Sequence, residues 1–204
     1  MNQKDFITQV APGAIAAHKK GSVLPSVTIA QAILESAWGK SAPGNMLFGI
    51  KWTAGCAYDK QLLWTTEYIN GKAQKVQDWF RKYNSLADSV EDHGNFFLQN
   101  PRYKPVLACT NYKDACIQVQ KCGYATDPNY ATQLIQIIGL YKLYEYDKEE
   151  VMIKVLVNGN EVKFDAEPQM INGRVLVPVR AVAESLGATV NWDENTKTVS
   201  ITKG

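Results

Sequence analysis

The stretch "TIAQAILESAWGKS", Thr28–Ser41, decides the fold prediction because it places one acid, Glu35, among apolar and small residues. Pro25 or Ser26 is expected to open a helix here and Gly39 to close it, since proline suits the first helical position and glycine follows the last one. A carboxylate on a mostly buried helix is costly unless it is paired or protonated. The position of Glu35 therefore needs either a structural or a functional explanation.

Helical spacing puts Gln31, Glu35 and Trp38 on one stripe of this predicted helix. In the last turn, the negative end of the helix dipole would raise the pKa of Glu35, and Trp38 would add an apolar cover. A glutamate that stays protonated near neutral pH is what a general acid needs. Taken alone, these residues fit a solvated or paired surface glutamate more often than a catalytic acid.

A general acid of this kind could protonate a leaving glycosidic oxygen. Glycoside hydrolysis usually needs a second carboxylate as well, and Glu67 is the candidate. It lies in "LLWTTEYINGKAQKVQDWF", residues 62–80, where Asn70-Gly71 between two alternating runs predicts a β-hairpin. A two-residue loop sets Glu67 opposite Gln74. Such a hairpin can close over a substrate, although an exposed glutamate near lysines explains the same residue.

Helices are predicted for the rest of the first part of the chain: residues 84–100 stopped by Pro101, residues 111–123, and a long helix with Asp127 as cap and Pro128 at its first position. Tyr130 falls in the first turn of that helix, where its phenol could bind a sugar or a water, or only pack. Aromatic residues that could stack on sugars or form the core are Trp38, Trp52, Tyr58, Trp64, Tyr68, Trp79 and Tyr124.

Composition excludes several classes of function. The 204 residues are 46% hydrophobic and 21% charged with a net charge of +2, which is too little to indicate a nucleic-acid partner. No apolar run approaches the roughly 20 residues of a membrane span, so no membrane insertion is expected. Two histidines and four cysteines without a CxxC pair predict no metal site, and no other cofactor is expected. The cysteines fit small buried thiols, or a disulfide among Cys109, Cys116 and Cys122.

Domain organisation follows from a change of pattern near residues 144–152. Helical periodicity dominates before it, and short alternating runs follow it. We expect a domain at 1–146, a linker at 147–150 that contains the charged "DKEE" segment, and a small α+β domain at 151–204. The predicted fold class is α+β, with a mainly helical first domain that carries the hairpin.

Four motifs in order resemble the glucosaminidases of glycoside hydrolase family 73, over about residues 1–146: "SVTIAQAILESAWGKS", "NMLFGIKW", "TTEYINGKAQKVQDWFRKYNSLADSVEDHGNFF" and "YATDPNYATQLIQII". This family includes bacterial autolysins, flagellar-rod glucosaminidases and phage endolysins. The resemblance implies a lysozyme-like fold, with a helical lobe and a β-hairpin lobe around a glycan groove. It implies an endo-β-N-acetylglucosaminidase that cleaves the β-1,4 bond between N-acetylglucosamine and N-acetylmuramic acid in peptidoglycan.

The resemblance also assigns roles to residues. Glu35 falls on the catalytic acid, Glu67 on the proposed second carboxylate, and Tyr130 on a tyrosine that assists catalysis. Expected substrate-binding residues, including those of the motif that shapes the groove floor, are Gln31, Trp38, Asn45, Phe48, Gly49, Tyr68 and Tyr124. Either Glu67 activates a water and the reaction inverts the configuration at the anomeric carbon, or the N-acetyl group of the substrate attacks that carbon and the configuration is retained. A muramidase or lytic transglycosylase on the same fold, and a catalytically silent wall-binding module, are the alternatives.

The tail resembles the domain named after the N-terminus of copper amine oxidases, through "VPVRAVAESLGATVNWD", residues 177–193. It contains no histidine or cysteine, so it lacks ordinary copper ligands. Wall attachment or self-association is the role this resemblance suggests, and Arg180 is expected to pair with an acid. The N-terminus does not look like a secretory signal. That suits a phage endolysin released from the host cytoplasm, or a mature autolysin cut from a precursor, acting outside the cell on the bacterial wall.

Overall fold

The computed structural model describes residues 2–69, 72–148, 153–171 and 173–204, without the side chains of residues 66–69, 72 and 73. The chain divides into two compact units, Met1–Glu149 and Glu150–Gly204. The expected linker at 147–150 lies partly outside the described residues, and so does the Asn70-Gly71 turn.

The first unit is mainly helical with one long hairpin. Its α-helices are α1 (Gln3–Lys19), α2 (Pro25–Ser36), α3 (Leu86–Gln99), α4 (Lys104–Leu107), α5 (Tyr112–Lys121) and α6 (Tyr130–Leu140). Short 3₁₀ helices cover Pro43–Asn45, Pro101–Tyr103 and Leu143–Asp147, and the strands β1 (Asp59–Ile69) and β2 (Lys72–Lys82) form the hairpin. This arrangement confirms the predicted α+β class.

Helix α2 forms the centre of the first unit, because it contacts α1, α3, α5 and α6. Ten of its twelve residues are buried, so its amide groups need partners within the protein. The N-cap residue Leu24, just before the helix, provides no side-chain hydrogen bond. Instead Asp147, far along the chain, accepts hydrogen bonds from the Ser26 amide at 2.7 Å and the Ser26 hydroxyl at 2.6 Å. This long-range cap fixes the helix that carries Glu35.

The hairpin has the predicted register. Strands β1 and β2 are antiparallel with Glu67 opposite Gln74. At its base, the Arg81 amide donates to the Ile50 carbonyl at 3.0 Å. The Arg81 guanidinium lies 2.7 Å from Asp92 on α3, and Tyr83 donates to the same carboxylate at 2.7 Å. The hairpin is therefore anchored to the helical part of the unit at its base.

Helix boundaries agree with the sequence in some places and differ in others. Helix α3 begins with a capping box between Ser85 and Asp88, and it ends before Pro101 as predicted. The prediction that Gly39 closes α2 is wrong, because Ala37 already adopts the left-handed conformation (φ 49°) that ends the helix. The start at Asp127 and Pro128 is also wrong: these residues form a turn, and α6 begins at Tyr130.

The second unit consists of small antiparallel strand pairs and one helix. Its strands are β3 (Leu156–Val157), β4 (Asn160–Glu161), β5 (Gln169–Ile171), β6 (Arg174–Leu176), β7 (Ala188–Asp193) and β8 (Thr198–Lys203), and its helix α7 covers Val179–Ser185. Arg180 lies 3.5 Å from Glu184 and donates to the Val190 carbonyl at 2.7 Å. The predicted pairing of Arg180 with an acid is confirmed.

The cysteines are all free thiols in this structure, although only Cys116 is fully buried. Burial raises the pKa of the Cys116 thiol to about 12, so this sulfur is protonated and unreactive near neutral pH. Among the described residues, no helix combines the length and apolar character needed to cross a bilayer.

Candidate functional site

Glu35 lies in the last turn of α2, as the sequence predicts. Its side chain remains accessible to solvent, which a group that meets a substrate requires. The Tyr130 hydroxyl donates a hydrogen bond to Oε1 of Glu35 at 2.7 Å. The C-terminal end of α2 and the first residue of α6 therefore meet at this carboxyl group.

The turn after Glu35 is unusual, since Ala37, Trp38 and Gly39 all have positive φ angles of 49°, 65° and 74°. Non-glycine residues in this region store backbone strain, which tends to occur at functional sites. The Ser36 hydroxyl holds the turn by accepting from the Gly39 amide at 2.8 Å and donating to the Ala32 carbonyl at 2.5 Å. The structure thus fixes Glu35 just before a constrained turn.

Trp38 does not continue the helical stripe of Gln31 and Glu35, because α2 has ended before it. Its ring packs edge-on against Phe6 at 5.9 Å and Tyr141 at 4.8 Å, measured between ring centroids. The prediction of a shared helical stripe is wrong at Trp38. The indole is half-buried and packs against the hydrophobic core.

The pKa of Glu35 is raised above its ordinary value of 4.5. Removal of water by the surrounding protein is the main cause, and the hydrogen bond from Tyr130 acts in the opposite direction by stabilising the carboxylate. A bound sugar would displace more water from this accessible group and raise its pKa further. The site therefore favours the protonated form of Glu35 more than water does.

Behind Tyr130 lies a buried chain of polar side chains. The amide nitrogen of Gln31 donates to the Tyr130 hydroxyl oxygen at 3.1 Å, and Nε2 of His93 lies 3.1 Å from the amide oxygen of Gln31. Gln31 and His93 have no exposed surface. Burial lowers the pKa of His93 to about 3, so its imidazole is neutral. Gln31, expected at the substrate, is instead placed behind the tyrosine.

Aromatic rings form the wall beside this chain. Phe48 stacks on His93 with ring centroids 3.9 Å apart, and Tyr124 stacks on Tyr130 at 5.9 Å and on Phe97 at 5.7 Å. The Tyr124 hydroxyl is buried and has no hydrogen-bond partner among the described residues. Two of the predicted groove residues, Phe48 and Tyr124, therefore pack directly against the residues that support Glu35.

A groove of about 550 Å³ lies next to this wall. Gly49 lines it with a φ of 61°, and a side chain added there would meet open space. Asn45 lies outside the groove lining: its amide donates to the Tyr83 carbonyl at 3.0 Å and fixes the loop against the hairpin. The groove is lined by Phe48, Gly49, Ile50, Lys51, Thr53, Arg81, Phe96, Asn100, Arg102, Tyr103 and Tyr124.

Two predicted site residues, Glu67 and Tyr68, lie on the hairpin strand β1. The side chains of Glu67 and Tyr68 lie outside the described part of the chain, and only their backbone positions on β1 are given. Sequence reasoning missed His93 as a member of the site. The available signal was its position between Val90 and Phe97 on the apolar face of α3, which indicates burial but no partner.

Comparison with protein families gives two matches. Residues 11–143 match the glucosaminidase family, described as mannosyl-glycoprotein endo-β-N-acetylglucosaminidase. Residues 156–204 match the copper amine oxidase N-terminal domain.

Curated relatives match between two thirds and three quarters of this chain. The exo-glucosaminidase LytG of Bacillus subtilis (strain 168) is 40% identical over 160 residues, which are 74% of this chain and 56% of the relative. The peptidoglycan hydrolase FlgJ of Salmonella typhimurium is 35% identical over 144 residues, 67% of this chain and 46% of the relative. The chain thus spans about half the length of these relatives.

Solved structures share the fold of the first unit. The catalytic domain of the autolysin Auto from Listeria monocytogenes is 36% identical with a TM-score of 0.62, covering 71% of this chain and 87% of that one. The glycoside hydrolase domain of FlgJ from Salmonella typhimurium is 32% identical with a TM-score of 0.59, covering 71% of this chain and 91% of that one. The lysozyme-like α+β fold expected from the sequence is thereby confirmed.

Proposed function

The chain belongs to the glucosaminidase family, and from this membership we propose that it is an endo-β-N-acetylglucosaminidase of bacterial peptidoglycan. Its substrate bond is the β-1,4 link between N-acetylglucosamine and N-acetylmuramic acid. The observation that carries the proposal is Glu35 itself, an accessible carboxyl group with a raised pKa that accepts a hydrogen bond from Tyr130. Peptidoglycan as the substrate is supported by the relative FlgJ, which is named a peptidoglycan hydrolase.

The mechanism begins with protonation of the glycosidic oxygen by Glu35. As the bond to the leaving sugar breaks, positive charge develops on the remaining sugar ring and Glu35 becomes a carboxylate, which the Tyr130 hydroxyl stabilises. Water then adds to the ring carbon. Either Glu67 takes the proton of that water, with inversion, or the N-acetyl oxygen of the substrate first bonds to the ring carbon. In the second case water displaces that oxygen, the Glu35 carboxylate takes the proton of the water, and the configuration is retained.

The rate of hydrolysis should fall as the pH rises through the raised pKa of Glu35, because the acid must carry its proton to act. Burial moves this fall to higher pH than the ordinary glutamate value of 4.5. Above it the rate should drop about tenfold per pH unit. Initial rates of reducing-end release measured from about pH 4 to about pH 9 check this. A midpoint of this decline at or below the ordinary glutamate value of 4.5 would contradict a raised pKa of Glu35.

The proposed function is tested with purified peptidoglycan and the full chain. Solubilised fragments should appear together with new reducing ends, since hydrolysis leaves one reducing end for each bond cut. Fragments without new reducing ends would indicate a lytic transglycosylase. Binding without release would indicate a silent wall-binding module. Long fragments early in the digest support internal cleavage, whereas disaccharides alone would indicate the exo action named for LytG.

The second unit is proposed to hold the enzyme at the bacterial cell wall, outside the cell, or to associate with a second copy. Its apolar side chains that remain exposed support an interaction surface. Co-sedimentation with purified walls and sedimentation velocity of the full chain distinguish the two roles. The exposed apolar residues of the second unit include Met170, Ile171, Val175, Leu176, Trp192, Val199 and Ile201.

A further inference from the structure

A continuous chain of hydrogen bonds links the core of the first unit to Glu35. It runs from His93 on α3 through Gln31 on α2 to Tyr130 on α6, with steps of 3.1 Å and 3.1 Å, and reaches Oε1 of Glu35 at 2.7 Å. Gln31 and His93 have no exposed surface and cannot touch a substrate. Within this chain of hydrogen bonds, their link to Glu35 runs through Tyr130.

The donor-to-acceptor direction of these hydrogen bonds follows from the chemistry of His93. The neutral imidazole carries one N–H, and Nδ1 has no partner among the described residues. If the proton were on Nδ1, a buried donor would be left without an acceptor, which is costly. The proton therefore belongs on Nε2, where it is donated to the amide oxygen of Gln31. Phe48, stacked 3.9 Å from the imidazole, holds the plane of the ring.

The donor-to-acceptor direction set at His93 also determines the direction of the hydrogen bonds at Gln31 and Tyr130. With its oxygen engaged by His93, the Gln31 amide must present its NH₂ group to the Tyr130 oxygen. The Tyr130 hydroxyl proton then has one direction left, toward Oε1 of Glu35. Because Oε1 accepts this bond, the acidic proton of Glu35 belongs on Oε2, the oxygen that Tyr130 does not engage.

We propose that Gln31 and His93 are positioning residues for proton transfer, holding Tyr130 so that its hydroxyl points at Oε1 of Glu35 and Oε2 carries the proton given to the substrate. The catalytic meaning of this arrangement rests on the proposed function. Among the described residues, Tyr124 and Tyr130 are titratable groups on which the charge of Glu35 acts, because its carboxylate raises the pKa of both phenols. The side chain of Glu67 is outside the described residues.

The test measures the titration of Glu35 directly, by ¹³C NMR of the full chain with labelled glutamate carboxyl carbons, assigned with Glu35→Gln. Gln31→Met and His93→Leu remove the support of Tyr130. The midpoint of Glu35 should then rise by about half to one pH unit, because the carboxylate loses a directed hydrogen bond. His93→Gln is the matched control, since its amide N–H can replace Nε2–H and should keep the midpoint close to that of the wild type.

A double variant separates positioning from a general loss of structure. Adding Gln31→Met to Tyr130→Phe should raise the midpoint no further than Tyr130→Phe alone, because both act through one hydroxyl. An unchanged midpoint in Gln31→Met and His93→Leu, or in Tyr130→Phe, would overturn the proposal, and so would additive shifts. Tyr130→Phe removes a single oxygen, so the hydrogen bond to Glu35 on which the proposal depends stays testable if the larger changes prevent folding.

Kinetics of the same variants provide the second readout. On the acidic plateau of the pH profile, where Glu35 is protonated in both proteins, kcat of Gln31→Met should fall about tenfold with KM unchanged. The alkaline fall of the rate should move to higher pH with the NMR midpoint. A merely structural role would lower the rate equally at every pH and overturn the proposal. If the wild-type chain does not cleave peptidoglycan, the proposed function fails while the NMR titration still decides whether Gln31 and His93 act on Glu35.

Discussion

Replacement of Glu35 by glutamine is expected to lower the rate of peptidoglycan hydrolysis by about a thousandfold or more. Glutamine has almost the same shape and can still accept the Tyr130 hydrogen bond through its amide oxygen. It cannot give a proton to the leaving oxygen. The measurement is the initial rate of reducing-end release from purified peptidoglycan at equal concentrations of both proteins.

Glu91→Gln is the matched control for this change, because Glu91 is an exposed carboxylate on α3, 56% accessible. It should keep wild-type activity. Thermal unfolding adds a second check. Burial raises the pKa of Glu35, so the stability that this residue contributes is full at low pH and is lost as the pH rises through its folded value. Neutral glutamine avoids this loss, and Glu35→Gln should unfold at the wild-type temperature or above it at neutral pH.

Replacement of Asp92 by alanine is expected to destabilise the first unit by about 3 kcal/mol. Asp92 is buried and accepts from Arg81 at 2.7 Å and from Tyr83 at 2.7 Å. Without it, a guanidinium that is only 17% exposed and a buried phenol lose their partner. The melting temperature should fall by about 6–12 °C, measured by circular dichroism.

The neighbouring ion pair is the control for Asp92→Ala. Lys20 and Glu91 lie 2.9 Å apart, a distance close to that of the Arg81 pair, but both side chains are more than half exposed. Surface pairs contribute at most about 1 kcal/mol, so Glu91→Ala should change the melting temperature little. Equal losses from the two substitutions would show that burial of the Arg81 pair does not determine its contribution.

Local patterns account for the parts of the fold that the sequence predicts well. The capping box at Ser85, the register that sets Glu67 opposite Gln74, and Glu35 in the last turn of its helix depend on near neighbours in the chain. The end of α2 was not predictable in this way. Ala37 takes the left-handed position expected of Gly39, because the Ser36 hydroxyl and backbone hydrogen bonds hold the turn.

The supporting part of the site depends on contacts between distant segments. His93 meets Gln31 across 62 residues, and Gln31 meets Tyr130 across 99. No periodicity or spacing within one helix indicates such a partner. Gln31 shares the predicted stripe with Glu35, yet only the packing of α3 and α6 against α2 shows that its amide faces Tyr130 rather than solvent.

The central claim, an N-acetylglucosaminidase with Glu35 as its acid, is tested most directly by the sugar at the new chain ends. Peptidoglycan digested by the full chain is reduced with borohydride and its fragments are identified by mass spectrometry, with Glu35→Gln in parallel. We predict reduced N-acetylglucosamine ends in the wild-type digest and none above background with Glu35→Gln. Reduced muramic acid ends, or equal ends from both proteins, would contradict the account.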